Sequence, residues 1–194
     1  MKKVALYFGS FNPIHIGHLA LANWLCEYAD IDELWFVVSP RNPFKAEAGL
    51  MDDDLRLRLV RLATEGYPRF RVCDIEFSLS RPSYTIHTLD RLHQLHPDCQ
   101  FSLVMGSDNL PSFPHWVEAR RIMAEHRVLV YPRPGAPVDA ATLPPCATLL
   151  DTPLLDISST AIRRALSEGH DVRYFLHPAV WQTLNELQQK KEEE

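Results

Sequence analysis

Residues 4–18 read VALYFGSFNPIHIGH. The first five residues form a continuous apolar run closed by Gly9, which is typical of a β-strand buried on both faces of a sheet. After His18, apolar residues recur with helical spacing through Leu21 and Leu25. The segment therefore predicts a strand, a tight turn and a helix, which is the opening unit of an α/β fold.

The rest of the chain continues this alternation. Further strands are predicted at 34–38, 70–75, 101–105, 127–131 and 147–150, and further helices at 52–63, 83–95, 116–124, 158–166 and 178–189. Residues 132–145, rich in proline and alanine, are predicted to be the least structured part. The pattern indicates a Rossmann-like parallel sheet with helices on both faces. We expect a single domain over residues 1–194 with a small C-terminal helical part at about 157–190.

Composition excludes several classes of protein. The 194 residues carry a formal net charge of -5, which argues against a general nucleic-acid binder. No stretch reaches the ~18 consecutive apolar residues that a membrane span needs. The four cysteines, Cys26, Cys73, Cys99 and Cys146, show neither CxxC nor zinc-site spacing, so we expect reduced thiols, no protein-bound metal and a cytoplasmic location.

The turn after the first predicted strand carries the first candidate site. Glycine at Gly9 lets the backbone of Ser10 and Phe11 approach a ligand closely, and the helix N-terminus behind them attracts anions. His15 and His18 lie three apart and share a helix face, so both can donate hydrogen bonds to phosphate oxygens. The alternative is a plain strand–turn–helix unit with two surface histidines. Neither a Walker A loop nor a GxGxxG motif is present.

A second helix start lies late in the chain. Ser158 is a suitable N-cap, Ser159 and Thr160 place hydroxyls in the first turn, and Arg163 lies one turn further. These groups suit a polyphosphate. A well-capped helix with a solvated arginine is the alternative.

Together the two segments resemble the signatures of the nucleotidylyltransferase superfamily, and within it the bacterial nicotinate-nucleotide adenylyltransferases. The similarity covers nearly the whole chain and includes four intermediate pieces: Pro43-Phe44-Lys45, Ser83-Tyr84-Thr85, Gly106-Ser107-Asp108 and Phe113-Pro114-His115-Trp116. The resemblance implies that ATP and nicotinate mononucleotide react to give the dinucleotide and pyrophosphate, with Mg²⁺ carried by ATP.

The resemblance also implies roles for single residues. Gly9, Ser10, Phe11, His15 and His18 would hold the ATP phosphates, and Ser158, Ser159, Thr160 and Arg163 the outgoing pyrophosphate. Lys45 would reach the reacting phosphates, and Asp108, after Gly106, would bind a ribose hydroxyl. Ser83, Tyr84 and Thr85 would meet the nicotinate carboxylate, and Trp116 would stack on the pyridine ring.

Other interpretations stay open for some of these residues. Lys45 could be an ordinary loop lysine, because the proline–histidine run often found before it is missing. Asp108 could be a helix N-cap, and Trp116 could belong to the core. Asn12 stands where many relatives carry aspartate, a change that suits a turn equally well.

Alternative functions also stay open. The acceptor could be nicotinamide mononucleotide or phosphopantetheine, or the chain could be a non-catalytic nucleotide-binding relative. Residues 15–18 also look like the first signature of class I aminoacyl-tRNA synthetases, but the chain lacks their later lysine-rich loop and a basic face. Assembly into a homo-oligomer is left open.

Overall fold

The computed structural model describes residues 1–40 and 50–192. Within these ranges, six parallel strands form one sheet in the order β3-β2-β1-β4-β5-β6. The strands are β1 (Lys2–Gly9), β2 (Glu33–Val38), β3 (Phe70–Cys73), β4 (Cys99–Gly106), β5 (Arg127–Tyr131) and β6 (Ala147–Leu149).

Helices cover both faces of this sheet. They are α1 (Ile16–Tyr28), α2 (Asp53–Thr64), α3 (Thr85–Leu95), α4 (Ala119–Glu125), α5 (Ser159–Ser167) and α6 (Pro178–Glu192). Successive strand side chains point to opposite faces, so β1 places Ala5 in the core under α1, α2, α5 and α6, and Leu6 in the core under α3 and α4. The predicted Rossmann-like sheet with helices on both faces is confirmed.

Three predicted elements differ from the structure. The helix expected from residue 116 begins only at Ala119, because Glu118 has a left-handed backbone (φ 54°) that no α-helix contains. The third strand ends at Cys73, and Ile75–Ser78 form a short 3₁₀ helix instead. Residues 132–145, predicted to be the least structured part, include a 3₁₀ helix at Ala140–Thr142.

The sheet topology decides where a ligand can bind. Strand β1 pairs with β2 on one side and with β4 on the other, so the chain connections leave β1 and β4 in opposite directions. A crevice opens at such a switch point, beyond the carboxyl ends of the strands. Among the described residues, no helix combines the length and the apolar character that crossing a bilayer requires.

Candidate active site

A cavity of about 880 Å³ lies at this switch point. Every predicted site residue that the structure describes lines it, although those residues come from five separate segments of the chain: Gly9, Ser10, Phe11, His15 and His18; Ser83, Tyr84 and Thr85; Gly106 and Asp108; Trp116; and Ser158, Ser159, Thr160 and Arg163. Lys45 lies outside the described residues. The cavity thus joins both signatures and three of the four intermediate pieces in one site, the piece with Lys45 lying outside the described residues.

The turn between β1 and α1 is held in a specific shape. Phe11 has a left-handed backbone (φ 43°), and its buried ring folds back over Gly9. A β-carbon at Gly9 would lie 2.8 Å from that ring, closer than carbon atoms approach without bonding. Glycine is therefore required at residue 9, because only its lack of a side chain lets the Phe11 ring pack there, and Gly9, Ser10 and Phe11 all line the cavity.

The two predicted histidines stack on each other. Their ring centroids are 3.7 Å apart, and Nδ1 of His18 accepts a hydrogen bond from the backbone N–H of His15 (3.3 Å). His15 is only 4% exposed, and burial, reinforced by the positive charge of Arg133, lowers its pKa to about 4. Its imidazole is therefore neutral near pH 7. Nδ1 of His15 has no hydrogen-bond partner among the described residues.

The second signature is joined directly to the first. Ser158 caps α5 as predicted, because its hydroxyl oxygen accepts from the N–H of Ala161 (3.2 Å). The Ser159 hydroxyl donates to the carbonyl of Pro13 (3.0 Å), and Nη1 of Arg163 donates to the carbonyl of Asn12 (2.8 Å). These bonds hold the N-terminus of α5 against the turn after β1. The Ser159 hydroxyl hydrogen is thus already used, which leaves the backbone N–H of that residue for a phosphate.

The far end of the cavity is formed by the start of α3 and by Trp116. No side chain caps the N-terminus of α3, so N–H groups of its first turn are available to an anion. The Trp116 ring packs edge-on against buried Phe113, with centroids 5.3 Å apart. Its Nε1 is buried without a hydrogen-bond partner in the described part of the chain. Trp116 therefore belongs to the cavity wall and packs against the core at the same time.

Between these two ends lies the carboxyl end of β4. A β-carbon on Gly106 would collide with the carboxylate of Asp108, so any other residue at 106 would force that carboxylate to move from its present place in the cavity lining. Nε of Arg133 lies 3.8 Å from Oδ2 of Asp108. The buried Ser107 hydroxyl accepts from the N–H of Arg133 (2.9 Å) and donates to the carbonyl of Ala136 (2.8 Å), which holds the 133–136 turn beside the cavity.

The sequence interpretation overlooked Arg56. This side chain on α2 is fully buried, and its guanidinium donates to the carbonyls of Ser10 (2.5 Å), Ser39 (2.9 Å) and Pro40 (3.0 Å) and to Asp53. Its Nε donates to the carbonyl of Met51 (3.2 Å). A signal for it existed, because Arg56 lies three, four and seven residues before the buried Leu59, Val60 and Ala63 and so shares their helix face.

The sequence matches one family model and closely similar proteins that share one name. The family model for cytidylyltransferase-like proteins matches residues 6–165. A Bacteroides fragilis protein named probable nicotinate-nucleotide adenylyltransferase is 59% identical over 94% of this chain and 90% of its own length. A Bacteroides thetaiotaomicron protein with the same name is 58% identical over 95% of this chain and 91% of its own length.

Solved structures agree on the fold. Nicotinic acid mononucleotide adenylyltransferase from Plasmodium falciparum, solved in complex with NaAD, superposes with a TM-score of 0.81 at 22% identity and covers 96% of both chains. The family resemblance inferred from the two signatures is confirmed by the sequence matches. The chain belongs to the cytidylyltransferase-like family and, within it, to the nicotinate-nucleotide adenylyltransferases.

Proposed function

We propose that the protein joins ATP to nicotinate mononucleotide and releases pyrophosphate, using the cavity at the β1/β4 switch point. One observation carries this proposal beyond family membership. The two signatures lie about 150 residues apart in sequence, yet Arg163 bonds directly to the turn after β1, so both phosphate-binding helix ends face one cavity. The N-termini of α1 and α5 suit the triphosphate, and a third helix N-terminus at the cavity, that of α3, suits an acidic acceptor.

The chemistry requires no nucleophile from the protein. A phosphate oxygen of the mononucleotide attacks the α-phosphorus of ATP, a new P–O bond forms, and the bond from that phosphorus to the bridging oxygen of pyrophosphate breaks. The protein contributes by aligning two anions and by stabilising charge in the transition state. In this proposal His18 and His15 donate to the reacting phosphates, and the α5 N-terminus with Arg163 holds the leaving pyrophosphate. Lys45 remains a predicted phosphate contact.

The adenosine and acceptor contacts follow from the same cavity. Asp108 is placed to accept a hydrogen bond from a ribose hydroxyl. Gly106 has no side chain to collide with the Asp108 carboxylate, which forms an ion pair with Arg133. At the other end, Ser83, Tyr84 and Thr85 lie at the uncapped N-terminus of α3, whose first-turn N–H groups would meet the nicotinate carboxylate. Trp116 offers an aromatic face to the pyridine ring. Each of these roles is part of the proposal.

Magnesium enters this proposal as an ion carried by ATP. Among the described residues, no group of three or more histidine, cysteine, aspartate or glutamate side chains could hold a metal ion. A cation bound largely by substrate phosphates and water suits such a site. When bound, Mg²⁺ would share the neutralisation of charge on the phosphates.

Three broader expectations belong to the proposal as well. All four cysteines are free thiols, which supports a reducing, cytoplasmic location. Residues 1–194 are proposed to act as one nucleotidyltransferase domain. Self-association is testable by light scattering on the purified protein.

The decisive experiment is pyrophosphate release with ATP and a panel of acceptors. The panel contains nicotinate mononucleotide, nicotinamide mononucleotide and phosphopantetheine, each with and without Mg²⁺. We expect turnover with nicotinate mononucleotide in the presence of Mg²⁺ and much weaker turnover with the other two. ATP binding without pyrophosphate release for any acceptor would instead identify a non-catalytic relative.

A further inference from the structure

A carboxyl group lies buried at the acceptor end of the cavity. Glu76, in the 3₁₀ helix after β3, is 2% exposed and lines the cavity together with Ser83. Its Oε1 accepts a hydrogen bond from the hydroxyl of Thr88 on α3 (2.8 Å). Its Oε2 and the Ser83 hydroxyl are both buried without a hydrogen-bond partner of ordinary geometry among the described residues. Buried polar groups are almost always hydrogen-bonded, so the position of these two at a cavity wall indicates that a ligand completes them.

This carboxyl group poses an electrostatic problem for an acidic acceptor. Residues 83–85 are the segment proposed to meet the nicotinate carboxylate, and Ser83 is buried in the same cavity wall as Glu76, close enough for its hydroxyl to lower the pKa of that carboxyl. Two carboxylates that share one buried site repel each other strongly, so one of them is favoured to hold a proton. Burial raises the pKa of Glu76, and the nearby hydroxyls of Ser39, Thr88 and Ser83 offset part of that rise.

The protonation state of Glu76 decides whether the Ser83 hydroxyl presents a hydrogen or only lone pairs to the ligand. A hydroxyl has one hydrogen to donate and lone pairs that accept. If Glu76 is ionised, it attracts the Ser83 hydrogen, and Ser83 presents only lone pairs to the cavity, which suits the N–H₂ of an amide. If Glu76 is protonated, it donates to the Ser83 oxygen, and the Ser83 hydrogen can point to a carboxylate.

Building on the proposed function, we propose that Glu76 determines selectivity between acid and amide acceptors through Ser83. Glu76 is protonated when nicotinate mononucleotide binds, and its ionisation favours the nicotinamide form. Glu76 is a positioning residue in this scheme, since it acts on the ligand through the Ser83 hydroxyl. Binding of the acid acceptor then takes up one proton, which moves from solvent to a carboxyl oxygen of Glu76.

Hydroxyl and thiol groups surround Glu76 on the elements packed against it. Ser39 at the end of β2 and Thr88 on α3 present hydroxyls, and burial raises the pKa of the Cys73 thiol on β3 to about 11. Charged neighbours on the packed elements are engaged elsewhere, as shown by three ion pairs: Asp74 with Arg61, Asp53 with Arg56, and Asp90 with Arg121. His87 on α3 is exposed and packs edge-on against Tyr84. His87 is therefore the group to control for in a pH experiment.

The test measures kcat/KM for nicotinate and nicotinamide mononucleotide between pH 6 and 9 and follows their ratio. Titration of groups that act equally on both acceptors, such as the shared phosphate, cancels in this ratio. For the unaltered protein we expect the acid-to-amide ratio to fall as pH rises, approaching tenfold per pH unit once Glu76 ionises in the free protein. Glu76→Gln carries an N–H₂ that donates to Ser83 at every pH, so its ratio should stay in favour of the acid and independent of pH.

Control variants, Ser83→Ala and calorimetry test whether the pH dependence of the ratio arises from Glu76 and Ser83. Asp74→Asn, at a half-exposed neighbour, and His87→Gln should both keep the pH-dependent ratio. Ser83→Ala should reduce the acid preference and remove its pH dependence. Calorimetry of acceptor binding in buffers of different ionisation enthalpy should show proton uptake that is lost in Glu76→Gln.

Two outcomes would overturn the proposal. One is a ratio that is independent of pH, or equally dependent on pH, in both the unaltered protein and Glu76→Gln. The other is a pH dependence that disappears in His87→Gln. Because the same assay reports pyrophosphate release, absence of turnover with either mononucleotide would contradict the proposed function itself and so be distinguishable from failure at Glu76.

Discussion

Replacing Arg56 by methionine should destabilise the fold far more than its place on a charged, amphipathic helix suggests. The substitution keeps the length and apolar stem of the side chain but removes donors to four carbonyl oxygens and to Asp53. These carbonyls belong to the segments that follow β1 and β2 and the segment that precedes α2. Arg56 therefore joins three pieces of backbone at the carboxyl edge of the sheet.

The magnitude follows from what remains buried after the change. Removing one partner of a buried ion pair costs ~3–5 kcal/mol, and each net hydrogen bond to a charged group is worth ~1.5–3 kcal/mol. These contributions overlap, and Asp53 keeps a second partner in Arg81 at 3.1 Å. We expect a loss of about 4 kcal/mol in the free energy of unfolding for Arg56→Met and about half of that for Arg56→Lys.

Urea denaturation followed by far-UV circular dichroism measures these values. Arg58→Met is the matched control, because Arg58 is an exposed arginine on the same helix and its replacement should change stability by no more than about 0.5 kcal/mol. If Arg56→Met is too unstable to purify, Arg56→Lys is compared with Arg58→Met instead. Arg56→Lys should also raise the KM for ATP, because Arg56 donates to the carbonyl of Ser10 in the proposed phosphate-binding turn. A loss below about 1 kcal/mol for Arg56→Met would refute the assigned role.

Three further predictions concern the cavity. His18→Ala should lower kcat roughly 10²–10³-fold without unfolding the protein, and near-normal turnover in steady-state assays would contradict the role of His18. His15 is neutral in the folded protein down to about pH 4 but has an ordinary pKa of 6.5 when unfolded, so the fold should lose about 3 kcal/mol from this group as pH falls through that range. Urea unfolding across pH should show a correspondingly shallower dependence for His15→Gln. Gly106→Ala should displace Asp108 and raise the KM for ATP about tenfold, the effect of losing one charge-assisted hydrogen bond, with kcat changing less.

The parts predictable from the sequence are those encoded locally. Continuous apolar runs closed by glycine or a nearby proline indicate buried parallel strands, and this pattern predicts β1, β2, β4 and β5. The edge strands β3 and β6 are shorter and lack this closing signal, although the sequence also predicts strands there. Ser158 was predictable as an N-cap because capping depends on a residue and the three that follow it. The helix predicted from Trp116 was misplaced because the left-handed Glu118 interrupts it, and glutamate carries no sequence signal for that conformation.

The unpredicted parts depend on contacts between distant residues. The residue type of Arg56 predicts a solvated charge, because the carbonyls of Ser10 and Ser39 that accept its hydrogen bonds are distant in sequence. Glu76 likewise reads as a surface residue after a strand, although it is almost fully buried. Charged residues are seldom fully buried, so a prediction from residue type places both in solvent. For Arg56 the structure shows the carbonyl oxygens that make burial possible, and for Glu76 it shows one partner, the Thr88 hydroxyl.

Asn12 joins the turn after β1 to two other segments of the chain. Its side-chain oxygen accepts from the N–H of Met51 (3.0 Å), and its backbone carbonyl accepts from Arg163 (2.8 Å). The first bond ties the turn after β1 to the start of α2, and the second ties it to α5. An aspartate at residue 12 could accept both bonds equally well, since each uses an oxygen. Loss of the side-chain oxygen would remove the bond that holds the phosphate turn to the segment that precedes α2.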